Sequence, residues 1–153
     1  MQAHLAAESL VGAQSVDFIS ARLYALDDVN ALNNLGAALL AAGDAQGAVA
    51  RLRAASDLVH KLPPTTRSVV VEVYYNLGIA LRRVDELEGA IAAYSRAIEL
   101  DPGRADIYLN RGVALQAAGD FTAATASLKH AVALGHPRRD AILGAIAQMQ
   151  SGV

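Results

Sequence analysis

The sequence predicts an all-α fold in which antiparallel helix pairs stack into a repeat array that ends in a capping helix. A pattern in residues 71–104 recurs in 105–137, and Gly78 and Gly112 mark the offset of 34 residues. A period of this size is typical of one supersecondary unit stacked on the next. Hydrophobic residues make up 54% of the chain, aromatic residues only 5%, and alanine is abundant, which favours closely packed helices over sheets.

The recurring residues define a two-helix unit with a close crossing. The first copy contains Tyr74, Leu77, Gly78, Leu81, Ala90, Tyr94 and Ala97, and the second contains Tyr108, Arg111, Gly112, Leu115, Ala124, Leu128 and Ala131. Glycine on the first helix and alanine on the second let the helices approach closely, so a bulkier residue at either place would overpack the interface. Asp101-Pro102 separates the two units, and His136-Pro137 ends the second.

Residues 1–28 are interpreted as an incomplete N-terminal repeat. The stretch from Ala3 to Val11 has the composition of a short helix, and Ser15 offers an N-cap oxygen for a second helix over residues 15–26. Phe18 falls in its packing stripe, at the helical spacing that a second helix requires. Asp27-Asp28 is expected to close this helix and to favour the N-terminus of the next one.

Residues 29–62 are predicted to form the first complete unit. One helical face carries Leu32, Leu35, Gly36 and Leu39. Gly43 suits the left-handed position after a helix and Asp44 can cap the next helix, a pairing that recurs at Gly119-Asp120. Asp85 stands in place of the glycine in the middle unit, which is tolerable because aspartate visits the left-handed region more readily than most residues.

The interval from Gly36 to Gly78 is 42 residues, longer than the later one, so residues 60–70 hold an extension. Pro63 disfavours helix at the residue before it and ends the preceding helix. Thr65 or Thr66 can then cap a long helix that extends over residues 67–83. Longer helices around a proline turn are the simplest interpretation, and ligand binding by this extension is the alternative.

Residues 138–150 are predicted to form a final amphipathic helix. Its inward face carries Ile142, Ile146 and Met149, and its polar side includes Arg138, Arg139, Asp140 and Gln148. A terminal repeat needs such a cover with a polar outer side. The alternative role is a self-association surface, because a poorly capped solenoid end exposes apolar residues.

The middle unit resembles the tetratricopeptide repeat (TPR) family, whose signature is filled by Tyr74, Leu77-Gly78, Leu81, Ala90, Tyr94, Ala97 and Pro102. Residues 105–137 depart from the signature at Arg111, Leu128 and His136. Residues 29–62 depart from it at Leu32, Leu52 and His60. The resemblance implies one TPR-like domain over residues 1–153, a right-handed superhelical solenoid of antiparallel helix pairs.

The resemblance also implies a peptide-binding groove on the inner face of each unit's first helix. The residues predicted to line it are Asn34, Asn76, Asn110, Tyr75, Ile79, Arg82, Arg83, Leu109 and Val113, with Leu40 in the apolar part. An asparagine amide is both donor and acceptor, so a row of three can pair with the backbone of an extended peptide. The alternative is that these asparagines stabilise the helix pairs locally. Arg82 and Arg83 add selectivity for an acidic group or are simply solvated.

One activity known in this family is not expected. Its chaperone-tail-binding members hold a C-terminal carboxylate in a clamp of lysine, arginine and asparagine side chains. The corresponding positions here carry Asn33, Ala37, Asn76, Asp106 and Asn110, and only Asn76 agrees. An acidic tail would instead meet Glu72 and Asp106.

Catalysis is not expected either. The four histidines are scattered, and the chain lacks a glycine-rich phosphate loop, a His-x-x-x-His spacing and a nucleophile motif. We therefore predict no enzyme activity, no catalytic residues, no metal and no cofactor.

The composition limits the partners and the location. The net charge is −2 without a Lys/Arg-rich tract, which gives no support to nucleic-acid binding. No secretory signal and no apolar stretch near the ~20 residues of a membrane span is evident, so a cytoplasmic protein is predicted. Two hypotheses follow: an adaptor that captures a peptide or amphipathic helix of a partner protein, and a scaffold that assembles with itself through its terminal helices as a homo-oligomer.

Overall fold

Helices account for nearly all of the described chain. The computed structural model describes the backbone of residues 2–152 and the side chains of residues 21–152. The elements of this part are α1 (Gln2–Ala41), α2 (Ala45–Leu58), two 3-10 turns (Val59–Lys61 and Pro64–Thr66), α3 (Arg67–Arg83), α4 (Leu87–Leu100), α5 (Ala105–Ala117), α6 (Phe121–Ala133) and α7 (Arg139–Ser151). The predicted all-α class is confirmed.

Each helix packs against its neighbours in the sequence, which gives three successive pairs: α1 with α2, α3 with α4, and α5 with α6. The first helices also touch across the pairs, because α3 contacts both α1 and α5. The helices α1, α3 and α5 therefore form one layer, and α2, α4 and α6 form the other. This arrangement is the helical repeat solenoid that the 34-residue period predicts.

The helices of each pair cross at a glycine. A Cβ added to Gly36 would lie 2.5 Å from Cγ of Leu52, and one added to Gly78 would lie 2.5 Å from Cε1 of Tyr94. A Cβ on Gly112 would lie 2.8 Å from Cδ2 of Leu128. Real side chains do not approach this closely, so the crossing distance depends on the missing side chain, as the sequence predicts.

The turns inside the pairs follow the predicted chemistry. Gly43 and Gly119 adopt φ values of 86° and 84°, and Asp85 adopts 64°. Asp44 and Asp120 each accept a hydrogen bond from the backbone N–H three residues later, at 2.8 and 3.0 Å. The side-chain cap at the start of α2 and α6 satisfies one of the free donors of the first helical turn.

The proline turn between α2 and α3 extends the core. The predicted helix over residues 67–83 is present as α3, but the Thr66 hydroxyl donates to the Pro63 carbonyl at 2.6 Å and does not cap it. Leu62 is buried in a cluster with Val29 of α1 and Val73 of α3. This packing supports a structural role for the extension.

The prediction of two helices before residue 29 is wrong. The helix α1 continues through Ser15 and through Asp27-Asp28, so residues 2–28 do not form a separate helix pair. An aspartate inside a helix costs only about 0.5 kcal/mol, and neither glycine nor proline lies between Ser15 and Asp28. The packing expected of Phe18 lies outside the described side chains.

The continuous helix also changes the first unit. Leu35 shares its predicted helical face with Gly36 and Leu39 but is 45% exposed, whereas its counterpart Leu77 is 7% exposed. The helix α3 lies against α2 of the preceding unit, and among the described residues no earlier helix stands in that relation to α1. Leu35 thus lacks the neighbour that covers Leu77.

The C-terminal helix α7 covers α6. Ile142 and Ile146 are 4% and 5% exposed and share a cluster with Tyr108 and Leu128, as predicted for a cap. Leu143, on another side of the same helix, is 42% exposed. No helix within residues 2–152 combines the length and the apolar character that crossing a bilayer requires.

Candidate peptide-binding groove

The nine predicted groove residues all lie on the first helices, which form the layer of α1, α3 and α5. Asn34, Arg83 and Val113 are exposed, and the other six are half-buried. Leu40 is the exception among the apolar residues, because it is 7% exposed and belongs to the core cluster, so the prediction that it lines the groove is wrong. Its neighbour on the surface is Arg83, which donates to the Leu40 carbonyl at 2.6 Å.

The asparagines link neighbouring first helices. Asn76 Nδ2 donates to Asn33 Oδ1 at 3.0 Å, which joins α3 to α1. Asn110 Nδ2 donates to the Tyr75 hydroxyl at 3.1 Å, which joins α5 to α3, and also to the Asp106 carbonyl at 3.0 Å. These two asparagines therefore bond between neighbouring units, which differs from the stabilisation within a helix pair that the sequence left open. These bonds engage the amide nitrogens of Asn76 and Asn110 and leave the amide oxygens of these two residues as acceptors.

A charged cluster that the sequence reasoning missed lies between α3 and α5. Arg104 pairs with Glu72 and with Asp106, the latter at 2.7 Å, and its guanidinium carbon lies 4.9 Å from the Tyr75 ring centroid. A signal was available, because Glu72 and Asp106 are 34 residues apart and hence occupy equivalent places on adjacent helices. Two adjacent carboxylates repel each other, and a cation between them stabilises the charged form of both.

The electrostatics of this cluster follow from its pairing. Hydrogen bonding to Asp106 raises the pKa of Arg104, although burial opposes the rise. Burial acts to raise the pKa of Asp106, but the hydrogen bonds and the charge of Arg104 outweigh it and the pKa is lowered. Burial, followed by the charge of Asp106, raises the pKa of Tyr75. Asp106 thus stays ionised and paired with Arg104.

Tyr94 lies beneath the groove and is fully buried. Its ring centroid is 6.3 Å from that of Tyr75, and its hydroxyl has no hydrogen-bond partner. Burial raises the pKa of Tyr94 to about 12, against the opposing effect of Arg82. The Nε atom of Arg82 is likewise buried without a partner.

The remaining surface of the groove is apolar. Ile79 and Leu109 are half-buried, and Val113 is 37% exposed. These three side chains form an apolar strip. The amide oxygens of Asn76 and Asn110 add hydrogen-bond acceptors on the same layer of helices. Within the part of the chain that the structure describes, no group of histidine, aspartate and glutamate residues is placed to hold a metal ion.

Sequence comparison finds the repeats in the second half of the chain. A family described as TPR repeat matches residues 85–119, and one described as tetratricopeptide repeat matches residues 105–134. No curated protein matches the sequence significantly.

Structural comparison finds the same fold in several solved proteins. MamA is 24% identical, with a TM-score of 0.71 over 88% of this chain and 74% of that one. The first TPR of Spaghetti (RPAP3) bound to an HSP90 peptide is 16% identical, with a TM-score of 0.69 over 82% and 93%. The Yersinia enterocolitica type III secretion chaperone SycD, in complex with a peptide of the translocator YopD, is 18% identical, with a TM-score of 0.65 over 82% and 92%. At these identities the similarity establishes the fold.

Proposed function

Because this chain belongs to the tetratricopeptide repeat family, we propose that it is a non-catalytic interaction module that binds a peptide segment or an amphipathic helix of a partner protein in the groove of α1, α3 and α5. The observation that carries the proposal is the apolar strip of Ile79, Leu109 and Val113 beside the amide oxygens of Asn76 and Asn110. Such a surface suits a ligand that presents backbone N–H groups and apolar side chains together.

Two structural neighbours support peptide binding as the proposed function. The RPAP3 and SycD structures were both solved with peptides bound, one from HSP90 and one from YopD. The ligand chemistry proposed for the part of the groove around Arg104 differs from an acidic tail, because the pairing of Glu72 and Asp106 with Arg104 leaves one negative charge over there. Arg82 and Arg83 lie at the other end of α3, away from this cluster. An apolar peptide segment fits these residues better.

The test is selection of binders from a library of short random peptides on the immobilised chain. We expect enriched peptides to carry apolar residues, and Val113→Arg to weaken their binding by at least about tenfold, since each 1.4 kcal/mol is a factor of ten. Val113 is exposed and makes no hydrogen bond through its side chain, so this variant should fold normally. The double variant Asn76→Ala, Asn110→Ala should also weaken binding, but it removes two bonds between helices worth about 1 kcal/mol each.

The matched control is Leu134→Arg. Leu134 is 42% exposed, close to the 37% of Val113, but follows α6 in the other layer. Peptides that bind the two variants equally well, or the absence of any enriched peptide, would contradict groove binding.

Self-assembly is the second candidate function, favoured by exposed apolar residues at both ends of the array. Tyr24 is 71% exposed on α1, and Leu143 is 42% exposed on α7. Light scattering across a concentration series should then show a mass that rises with concentration and falls back to the monomer in the double variant Tyr24→Asp, Leu143→Asp. Ile142 and Ile146 are unsuitable for this test because both are buried in the core. A monomer at every concentration would exclude this candidate.

A further inference from the structure

A cleft of about 320 Å³ opens on the layer opposite the groove, between α4 and α6. Its polar lining consists of Ser95, Arg111, Ser127 and His130, and its apolar walls include Ile91 and Leu115. The cleft is within the size range of small-ligand sites, which begins at about 300 Å³. It shares no lining residue with the proposed peptide groove, so a ligand here would leave that groove open.

Arg111 supplies the charge of the cleft. Its Nε donates to the Ser127 hydroxyl at 3.1 Å, and its Nη1 to the Ser95 hydroxyl at 3.4 Å. A guanidinium has five N–H donors, so these bonds leave about three of them unused. The guanidinium carbon also lies 5.5 Å from the Tyr108 ring centroid. None of the carboxylates within residues 21–152 lies within ion-pair distance of Arg111.

The surroundings of Arg111 are built around neutral polar groups. Ser127 is only 1% exposed and is the one polar residue in the described core. His130 stacks on Tyr108 with ring centroids 5.2 Å apart, and its Nδ1 lies 3.0 Å from the Ala126 carbonyl oxygen, which leaves Nε2 for another contact. Burial lowers the pKa of Arg111, as expected of a cation withdrawn from water without a carboxylate beside it.

Packing alone does not account for an arginine at this position. The equivalent residues of the other units are Leu35 and Leu77, and Leu77 is buried in the core. Arginine carries about 2 kcal/mol of rotamer entropy, and withdrawing its charge from water adds a further cost. A planar anion that accepts two parallel N–H bonds would offset that cost.

We propose that this cleft binds a single carboxylate carried on a short apolar group. One unpaired guanidinium matches one negative charge, and its fork matches the planar geometry of a carboxylate. The serine hydroxyls and His130 offer further polar contacts, while Ile91 and Leu115 can cover the apolar part of the ligand. Both a free short-chain acid and the C-terminal residue of a peptide present this chemistry.

The probe is sodium butyrate, titrated at constant ionic strength into the full chain and followed by the backbone amide and arginine Nε signals in ¹H–¹⁵N spectra. We expect saturable shifts centred on Ser95, Arg111 and Ser127, with an affinity in the millimolar range. Butyramide, which has the same shape without the charge, should not produce them. Arg111→Leu should weaken the affinity at least about tenfold.

Two comparisons make the result specific. Arg51→Leu removes the same charge from an exposed position on α2, outside the cleft, and should leave the titration unchanged. Arg111→Leu restores the residue type of the other two units and should fold, which a thermal melt verifies. A response to butyrate that is equal in Arg111→Leu, a response to butyramide of the same size, or no saturable shift at all would overturn the proposal.

Titration with an acetylated dipeptide that ends in leucine distinguishes the two sources of the carboxylate, a free short-chain acid and a peptide C-terminus. Binding tighter than that of butyrate, and lost when the C-terminus is amidated, would identify a peptide terminus as the ligand. Weaker binding than that of butyrate would identify a free short-chain acid. Either result requires the Arg111 carboxylate contact, so both support the proposed chemistry.

Discussion

The two matched repeats, residues 71–104 and 105–137, place the same glycine at the same crossing but oppose it with different side chains. Gly78 faces the rigid ring of Tyr94, which is fully buried. Gly112 faces the branched end of Leu128. An aromatic ring can move only as a unit, whereas leucine can change rotamer. The contact between the glycine and the opposing side chain, here called the junction, is therefore less adaptable in the middle repeat.

The repeats differ again at the residue before that glycine. Leu77 is buried within the core of the middle repeat, while Arg111 is half-buried between two second helices. The departure from the repeat pattern thus coincides with a polar cleft in the layer that the pattern normally closes with an apolar side chain. In a repeat protein, such a departure is a better guide to a local site than the residues that conform.

Gly78→Ala should destabilise the chain more than Gly112→Ala. Overpacking typically costs about 1–3 kcal/mol, whereas replacing glycine by alanine within a helix gains roughly 0.5–1 kcal/mol. We expect a net loss of about 1–2 kcal/mol at Gly78, where the added Cβ meets the Tyr94 ring, and a loss below about 1 kcal/mol at Gly112, where Leu128 can move. Urea unfolding of both variants measures the difference.

Gly144→Ala is the matched control for these variants. Gly144 lies within α7, and a Cβ added there would meet nothing within 4 Å. Only the helix propensity changes, so this variant should gain roughly 0.5–1 kcal/mol. Equal losses at Gly78 and Gly112 would show that backbone separation, and not the opposing side chain, controls the junction.

The sequence predicts most of the fold, because each repeat carries its own glycine, alanine and turn signals. The positive φ values at Gly43, Asp85 and Gly119 were all foreseeable from residue type. The continuous helix α1 was not, because Asp27-Asp28 offers a weak signal that can begin, end or continue a helix. The exposure of Leu35 follows from the same continuous helix, because no earlier helix covers it among the described residues. A local sequence pattern does not specify which helix packs over a given face.

The candidate groove was only partly predictable. The nine residues that the resemblance implied all lie on the layer of α1, α3 and α5, but the sequence could not show which side chains bond to one another. Asn76 and Asn110 bond to partners from neighbouring units, and Arg104 reaches its carboxylates from the position just before α5. Contacts between units depend on how helices are stacked, and a pattern within one unit does not specify them.

The presence of Tyr94 in only one of the two repeats is also measurable, through Tyr94→Phe. At neutral pH we expect a change of less than about 1 kcal/mol, because the buried hydroxyl lacks a hydrogen-bond partner. The wild type should then lose stability relative to the variant as the pH rises from about 10 to 12. Burial raises the pKa of Tyr94 to about 12 in the folded chain, so the unfolded chain releases this proton first and gains free energy from doing so.

The expected loss is about 1 kcal/mol near pH 11, since one pKa unit corresponds to roughly 1.4 kcal/mol. Urea unfolding at neutral pH and near pH 11 measures it for the wild type and Tyr94→Phe. Tyr24→Phe is the control, because Tyr24 is 71% exposed and should leave the alkaline behaviour of the wild type in place. The same alkaline loss in Tyr94→Phe as in the wild type would mean that another group carries the pH dependence. Repeat 105–137 has Leu128 at this position, so the effect belongs to the aromatic junction of the middle repeat alone.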